Sequence, residues 1–310
     1  MSAAQTHSPA WGGRRLLDAL DVTDLDTFDP RPGWRRHADD DVLTIILPEF
    51  IPSKWWQHLL HNQTALALKA AGTMVDVFVE VDVGHGRCGV APTAAGALAH
   101  QVVSHGLRFA GLQAYHGRAQ HLRTPAERET AIRHAVGLAR AAQAAITSAG
   151  IACPLVTGAG TGTFMLEAAS GLYGELQSGS YVFMDRDYAD NHGAPHAPAF
   201  EHALFVKSQV MSAGTSHVVV DAGHKSHAID SGLPRVHGRE LEFVNGGDEH
   251  GILRKHGAAP LPALGETVWL IPGHCDPTVN LHEHYVVVRG GLEAGRVEAV
   301  WPIDARGCIR

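Results

Sequence analysis

The stretch Ile271-Pro272-Gly273-His274-Cys275-Asp276-Pro277 carries an imidazole, a thiol and a carboxylate on consecutive residues. In an extended segment residues two apart face the same way, which would aim His274 and Asp276 at one point and turn Cys275 away. One nitrogen and one oxygen ligand suit a borderline or hard divalent ion and leave positions open for substrate and water. The same residues also read as a polar turn in which Asp276 caps the backbone before Pro277. A second candidate is Thr157-Gly158-Ala159-Gly160-Thr161-Gly162-Thr163, where exposed N–H groups and three hydroxyls offer what a phosphate monoester needs. A glycine turn without a ligand is the alternative. Arg87, in the loop Gly84 to Gly89, could stabilise an anionic oxygen or pair with Asp82. Gln113 and Tyr115 share one side of a strand, and Ser180 and Tyr181 could complete a phosphate cup.

The elements that must carry these groups alternate. Val75 to Val83 has period-2 patterning and reads as a strand, followed by a helix from Thr93 to Ser104 and a strand from Arg108 to Tyr115. Thr124-Pro125-Ala126-Glu127 opens a helix with an N-cap, a proline at the first position and a capping-box glutamate. Its apolar face is Ile132, Val136, Ala139, Ala142 and Ile146, and Gly150 ends it. Pro154 to Thr157 is a short strand into the glycine turn, and Tyr173 to Phe183 reads as two more extended pieces. This is βαβ order, with functional groups expected at the C-terminal ends of the strands. After about Phe200 the helices stop, and short strands at Ala203 to Val210, His217 to Asp221, Glu240 to Val244, Thr267 to Leu270, Tyr285 to Val288 and Val297 to Trp301 suggest an antiparallel β domain. Before Val75, Val42 to Leu47 reads as a strand and Lys54 to Ala71 as a helix, while residues 1–41 lack periodicity. The expected organisation is a loosely ordered arm at 1–41, a strand and helix segment at 42–72, a partial barrel at 73–199 and a β domain at 200–310.

Composition narrows the function classes. The 310 residues hold 25 basic and 32 acidic side chains, and the net charge of −7 argues against nucleic acid or an anionic membrane as partner. The 4 cysteines form no CxxC pair, which fits a reducing, cytoplasmic setting better than a disulfide framework. No apolar run reaches the roughly 18 residues of a membrane span. With 22 histidines, no single one marks a site without its neighbours.

Seven stretches in order carry a resemblance: Gly86 to Val90, Gly111 to His121, Val156 to Phe164, Gly174 to Asp185, Val220 to Pro234, Asn245 to Gly251 and Pro272 to His282. Together they resemble D-threonine aldolase and its relatives, the 3-hydroxy-D-aspartate aldolases and metal-dependent D-serine dehydratases, from about Val75 to Arg310. The resemblance implies an α/β fold, an incomplete (β/α) barrel of the alanine-racemase type followed by an antiparallel β domain. It implies pyridoxal 5'-phosphate held at the phosphate by Gly158, Gly160, Thr161, Gly162, Thr163, Ser180 and Tyr181. Arg87 would lie against the phenolic oxygen of the pyridoxal ring, and Gln113 and Tyr115 would contact that ring. His274 and Asp276 match the family's metal ligands, and an aspartate where the dehydratases tend to carry cysteine favours Mn²⁺ over Zn²⁺, with Mg²⁺ and Co²⁺ as alternatives. The implied partner is a small 3-hydroxy-D-amino acid, cleaved to glycine and an aldehyde, and a homodimer is the assembly to test. Dehydration of D-serine, or a catalytically inactive fused fragment, are the rival readings.

One expected group is missing. The family's Schiff-base lysine lies in a basic motif near its N-terminus, and here the only lysines are Lys54, Lys69, Lys207, Lys225 and Lys255, none in that context. Val75 to Phe183 supplies about four barrel strands where an eight-stranded closure needs eight. Leu47 to Lys69 resembles the cytosolic tail of bacterial amino-acid permeases, so an unrelated segment joined to a shortened aldolase is expected. Open strand edges would then make the chain poorly soluble or dependent on a partner.

Overall fold

The computed structural model describes residues 34–36, 43–45, 74–194, 197–304 and 306–307. Its first sheet orders six strands as β1 (Trp34–Arg36), β2 (Leu43–Ile45), β3 (Val75–Glu80), β4 (Arg108–Gln113), β5 (Val156–Gly158) and β6 (Glu175–Leu176). β1 and β2 are antiparallel, and every later neighbour is parallel. Among the described residues the sheet does not close, since β1 and β6 each pair on one side. Within 1–41, expected as a loosely ordered arm, the described residues Trp34–Arg36 form a strand paired to β2. The helix expected at Lys54 to Ala71 lies outside the described residues.

The helices follow the patterning. α1 (Ala95–Ser104) and α2 (Pro125–Ser148) pack together beside the sheet. Thr124 starts α2 with the expected capping box: its hydroxyl accepts from Glu127 N at 3.3 Å, while Glu127 Oε2 accepts from Thr124 N at 3.0 Å. Ile132, Ala139, Ala142 and Ile146 are buried as expected, but Ala135 takes the place assigned to Val136, which is half-buried. Strand β3 stops at Glu80, short of the predicted Val83, because Asp82 turns the chain: its carboxylate accepts from Gly84 N at 2.9 Å and Gly86 N at 3.0 Å. These amides, led by Gly86, hold the Asp82 carboxyl below its ordinary range. The second extended piece predicted before Phe183 is instead a single 3-10 turn, Ser180–Val182, after β6.

From Val206 the chain builds a six-stranded antiparallel sheet with its own buried core. β7 (Val206–Ala213), β8 (His217–Val220), β9 (Arg235–Val236), β10 (Leu241–Asn245), β11 (Gly251–Lys255) and β12 (Thr267–Ile271) lie in the order β10-β11-β8-β7-β12-β9. β13 (His284–Arg289) and β14 (Arg296–Pro302) form a separate hairpin. β9 and β11 were not visible in the patterning: β9 has two residues, and β11 starts with glycine and ends on two charged residues. The expectation that helices end before Phe200 fails at α5 (Cys275–Asn280), which follows the short helices α3 (Phe164–Ala169) and α4 (Arg186–Ala189). Pro277 sits in the first turn of α5, where a missing N–H costs nothing. No described helix is long and apolar enough to cross a membrane.

One carboxylate ties the two sheets. Asp185 is fully buried; its Oδ1 accepts from Tyr188 N at 2.9 Å, capping α4, and its Oδ2 accepts from Cys275 N at 2.9 Å, at the start of α5. Backbone bonds from Arg186 N to Pro272 O at 2.9 Å and Asp187 N to Gly273 O at 3.2 Å flank it. Asp185→Ala removes both caps and leaves buried N–H groups without partners, so it is expected to lower unfolding stability by about 3 kcal/mol, read from the urea midpoint. Asp185→Asn keeps one acceptor oxygen and should lose roughly half of that.

Candidate active site

The C-terminal ends of β3, β4, β5 and β6 gather most of the sequence-predicted residues. Arg87 stands over the Tyr115 ring at 5.6 Å and 4.0 Å from Glu80, and the His85 ring meets Tyr115 edge-on. The alternative pairing of Arg87 with Asp82 is set aside, because the Asp82 carboxylate is engaged by the loop amides and Arg87 faces Glu80. Gln113 exchanges hydrogen bonds with Gln177, whose Nε2 also donates to the Thr157 hydroxyl at 3.0 Å. The ends of β4 and β5 are thereby joined through a residue just beyond β6, which sequence reading did not single out.

The glycine turn is moulded on Gln120. This side chain is fully buried, accepts from Gly162 N at 2.9 Å and donates to the Thr163 hydroxyl at 2.7 Å. A Cβ at Gly160 would lie 2.6 Å from Gln120 Oε1, and one at Gly162 would lie 2.6 Å from the Gln120 backbone oxygen. Close approach to this residue is therefore what requires glycine at both positions. Two of the proposed phosphate groups are thus committed elsewhere: Gly162 N–H to Gln120, and the Thr163 hydroxyl to Glu167 Oε1 at 2.8 Å. Thr161 remains beside the second half of the cup, its hydroxyl accepting from Tyr181 N at 3.0 Å. Among the described residues, the N–H groups of Gly160, Thr161 and Ser180 donate to no protein acceptor. Gly160 and Thr161 are buried, and buried N–H groups demand an acceptor, so this turn fits an anion.

His274 and Asp276 do converge, but through a strand-to-helix junction and not through an extended segment. His274 is the extended N-cap of α5 and Asp276 lies in its first turn, with His274 Nε2 3.8 Å from Asp276 Oδ2. The other ring nitrogen, Nδ1, meets Asp230 Oδ2 at 2.6 Å and the Ser231 hydroxyl at 3.3 Å. A carboxylate on Nδ1 fixes the tautomer that leaves Nε2 as a ligand, the usual support of a metal-bound imidazole. Burial pushes the Asp230 carboxyl up, but His274 and Ser231 outweigh it and hold it below its ordinary range. Among the described residues no three His, Cys, Asp or Glu side chains form a metal-ligand cluster, and the candidate donors are His274 and Asp276, with Asp230 behind the imidazole. Cys275 is fully buried, and burial with its carboxylate neighbours Asp276 and Asp185 pushes its thiol up, away from the thiolate a metal would need.

Tyr188 connects the two places. Burial raises its phenol, Tyr115 opposes its ionisation next, the Ser180 hydroxyl hydrogen-bonds it, and Asp185 and Asp276 add to the opposition. Its ring lies 5.7 Å from that of His121, which is paired with the buried Asp187. Gln120, Asp185 and Asp230 fall in stretches that carry the resemblance, and Tyr188 lies just after one, yet their roles depend on partners 40 or more residues away or on turns that no periodicity reveals. The three described lysines all belong to the antiparallel part: Lys207 lies over Trp269, Lys225 pairs with Asp248 and Glu249, and Lys255 ends β11. Lys54 and Lys69 lie outside the described residues.

Residues 49–187 match the family described as alanine racemase, N-terminal domain, and residues 203–288 match the putative serine dehydratase domain. The chain is 46% identical over 256 residues to a D-threonine aldolase of Arthrobacter sp, covering 81% of this chain and 66% of the relative. It is 41% identical over 250 residues to a 3-hydroxy-D-aspartate aldolase of Paracoccus denitrificans (strain Pd 1222), covering 78% and 63%. The crystal structure of D-threonine aldolase from Filomicrobium marinum superposes with a TM-score of 0.76 at 43% identity, covering 82% of this chain and 68% of that one. The chain spans about two thirds of the length of the curated relatives it matches. The racemase match starts at residue 49, earlier than the resemblance from Val75, and takes in most of residues 47–69. The likeness of that stretch to a permease tail receives no support from these comparisons.

Gly162→Ala would force a methyl group onto the Gln120 carbonyl. Its expected effect is at least a tenfold loss of affinity for inorganic phosphate, followed by phosphorus NMR line broadening. Gly137→Ala, on α2 where a Cβ meets nothing within 4 Å, should leave that affinity unchanged.

Proposed function

Since the chain belongs to the D-threonine aldolase family, with the alanine-racemase-like fold, we propose that its two connected places are the halves of a lyase site for 3-hydroxy-D-amino acids. The products would be glycine and an aldehyde. The division into a cofactor-binding part at 73–199 and a metal-carrying part at 200–310 belongs to the same proposal, as do a homodimer and a cytoplasmic setting. The observation that carries the reading is Asp185, which bonds the backbone of the His274 and Asp276 segment to the helix following Ser180 and Tyr181.

Gly158, Gly160, Thr161, Ser180 and Tyr181 would hold the phosphate of pyridoxal 5'-phosphate. Gly160, Thr161 and Ser180 would do so through their unpaired N–H groups, with Gly162 and Thr163 shaping the turn through Gln120 and Glu167. Arg87 and Tyr115 would border the ring together, and Gln113 would reach it from a rotamer fixed by Gln177. Pyridoxal phosphate, when bound, supplies an electron sink for the charge left at Cα. His274 and Asp276 would hold a divalent ion, Mn²⁺ favoured over Zn²⁺ because the second ligand is a carboxylate and the adjacent thiol stays protonated. Such an ion acts as a Lewis acid that eases loss of the proton from the 3-hydroxyl. Asp230 would keep Nε2 of His274 aimed at that ion, and Tyr188, hydrogen-bonded to Ser180 and opposed in its ionisation by Asp276, would stand between the two halves. Lysine chemistry at the cofactor aldehyde would have to come from outside the described residues, and an inactive chain is the reading that its absence would favour.

Incubation with pyridoxal phosphate and Mn²⁺ should release glycine and acetaldehyde from D-threonine. Pyruvate from D-serine would support the dehydratase reading instead. Without visible cofactor absorption or a borohydride-trapped lysine, the inactive reading holds. Metal binding is separable from turnover: equilibrium dialysis should show Mn²⁺ binding abolished by His274→Ala and by Asp276→Ala, and weakened about 10- to 100-fold by Asp230→Asn.

A further inference from the structure

Glu167, on α3, is a buried carboxyl group that neither half of the site uses. It is 1% exposed, its Oε1 accepts from the Thr163 hydroxyl at 2.8 Å, and its Oε2 has no hydrogen-bond partner. Thr163 in turn accepts from Gln120, and Gln120 accepts from Gly162 N–H, so three side chains in series connect Glu167 to the glycine turn. Because Thr163 spends its one proton on Glu167, its oxygen must accept from the Gln120 amide nitrogen. This fixes Gln120 with its oxygen toward the turn.

No cation pairs with Glu167 among the described residues. α3 packs on α2 and on β6. From α2, Arg140 donates to the Ser170 carbonyl at 2.8 Å, and Glu129 and Arg133 pair with each other in solvent. From β6, Glu175 takes the Thr157 hydroxyl. Tyr173, before β6, donates its hydroxyl to the Ala114 carbonyl at 3.1 Å. The titratable groups nearest Glu167 are therefore neutral or engaged elsewhere, and burial pushes both the Glu167 carboxyl and the Tyr173 phenol up.

We infer that Glu167 is a positioning residue for the anion turn and that it acts in its protonated form, so that an anion at Gly160 and Thr161 is bound together with a proton on Glu167. The inference rests on the reading of this turn as a phosphate cup. The neutral acid keeps Thr163 and Gln120 in register without placing a second negative charge behind the N–H groups that meet the ligand. An ionised Glu167 keeps the same hydrogen bonds but opposes the phosphate from a buried position, where charges are screened less than in water. The sign follows: with its folded pKa raised, Glu167 favours the anion below that value, and affinity falls as pH rises through it.

The test is the affinity of the full chain for pyridoxine 5'-phosphate, which has no aldehyde to react with surface lysines, measured by calorimetry across the pH range in which the chain stays folded. Titration of the ligand's own phosphate affects wild type and Glu167→Gln alike and cancels in their ratio. Glu167→Gln keeps an acceptor for Thr163 and cannot ionise, so it should match wild type at acid pH and bind roughly tenfold tighter at alkaline pH. Glu167→Ala should bind more weakly at every pH, and rescue by glutamine separates loss of charge from loss of the strut. A ratio independent of pH, with both proteins binding, overturns the inference and leaves the phosphate cup standing. No binding by either protein overturns both. Should Glu167→Gln fail to fold, the proton taken up by wild type on binding is read by repeating the calorimetry in two buffers of different ionisation enthalpy, and absence of uptake at alkaline pH overturns the inference.

Discussion

Among the described residues no cation pairs with the buried Asp185 side chain, and two N–H groups take its oxygens instead, so that it closes two helix starts at once. One oxygen serves α4, in the chain that leaves the Ser180 turn, and the other serves α5, which presents His274 and Asp276. Neither helix has more than 6 residues, too short to hold its geometry alone, so the spacing between the two candidate halves depends on this shared cap. Arg186 reinforces it from the same helix by donating to the Leu233 carbonyl at 2.7 Å, and Asp190 takes Arg235 of β9. The seam between the parallel and antiparallel sheets is thus polar at the site, while the two apolar cores lie to either side of it.

The glycine turn illustrates how a ligand site is shaped from behind. Its glycines are explained by Gln120, a neutral amide that the backbone wraps at close range. With the Gly162 N–H and the Thr163 hydroxyl committed to Gln120 and Glu167, and the Thr163 N–H to the Gly160 carbonyl, the N–H groups of Gly160 and Thr161 are left without a protein acceptor among the described residues, which makes the turn attractive to an anion. The candidate metal pair follows the same logic on a smaller scale. Asp230 orients His274 from the rear, and the ligand face is left to Nε2 and the Asp276 carboxylate.

Local patterning was a good guide wherever an element's reason lies within itself. Thr124 and Glu127 cap α2 from three residues apart, and the alternating valines of β3 bury one face of one strand. It was a poor guide where the reason lies far off in the chain. α5 looks like an extended segment until Asp185, 90 residues earlier, supplies the cap for Cys275. The Ser180–Val182 turn looks like a strand until Thr161 takes the amide of Tyr181.

What the chain by itself determined is the kind of chemistry: a histidine and an aspartate two residues apart, a glycine turn after a strand, and motifs ordered as in the aldolase family. Residue types and short spacings are enough for that, because ligand chemistry is a property of side chains. Only the tertiary structure decided which groups are free to act. Thr163 and Gly162 were assigned to a ligand by type and are taken by Glu167 and Gln120, while Asp230 and Tyr188 were assigned nothing and stand beside His274 and Ser180. Each hydroxyl or amide has few hydrogen bonds to give, and where they go is settled by long-range packing that no window of sequence contains.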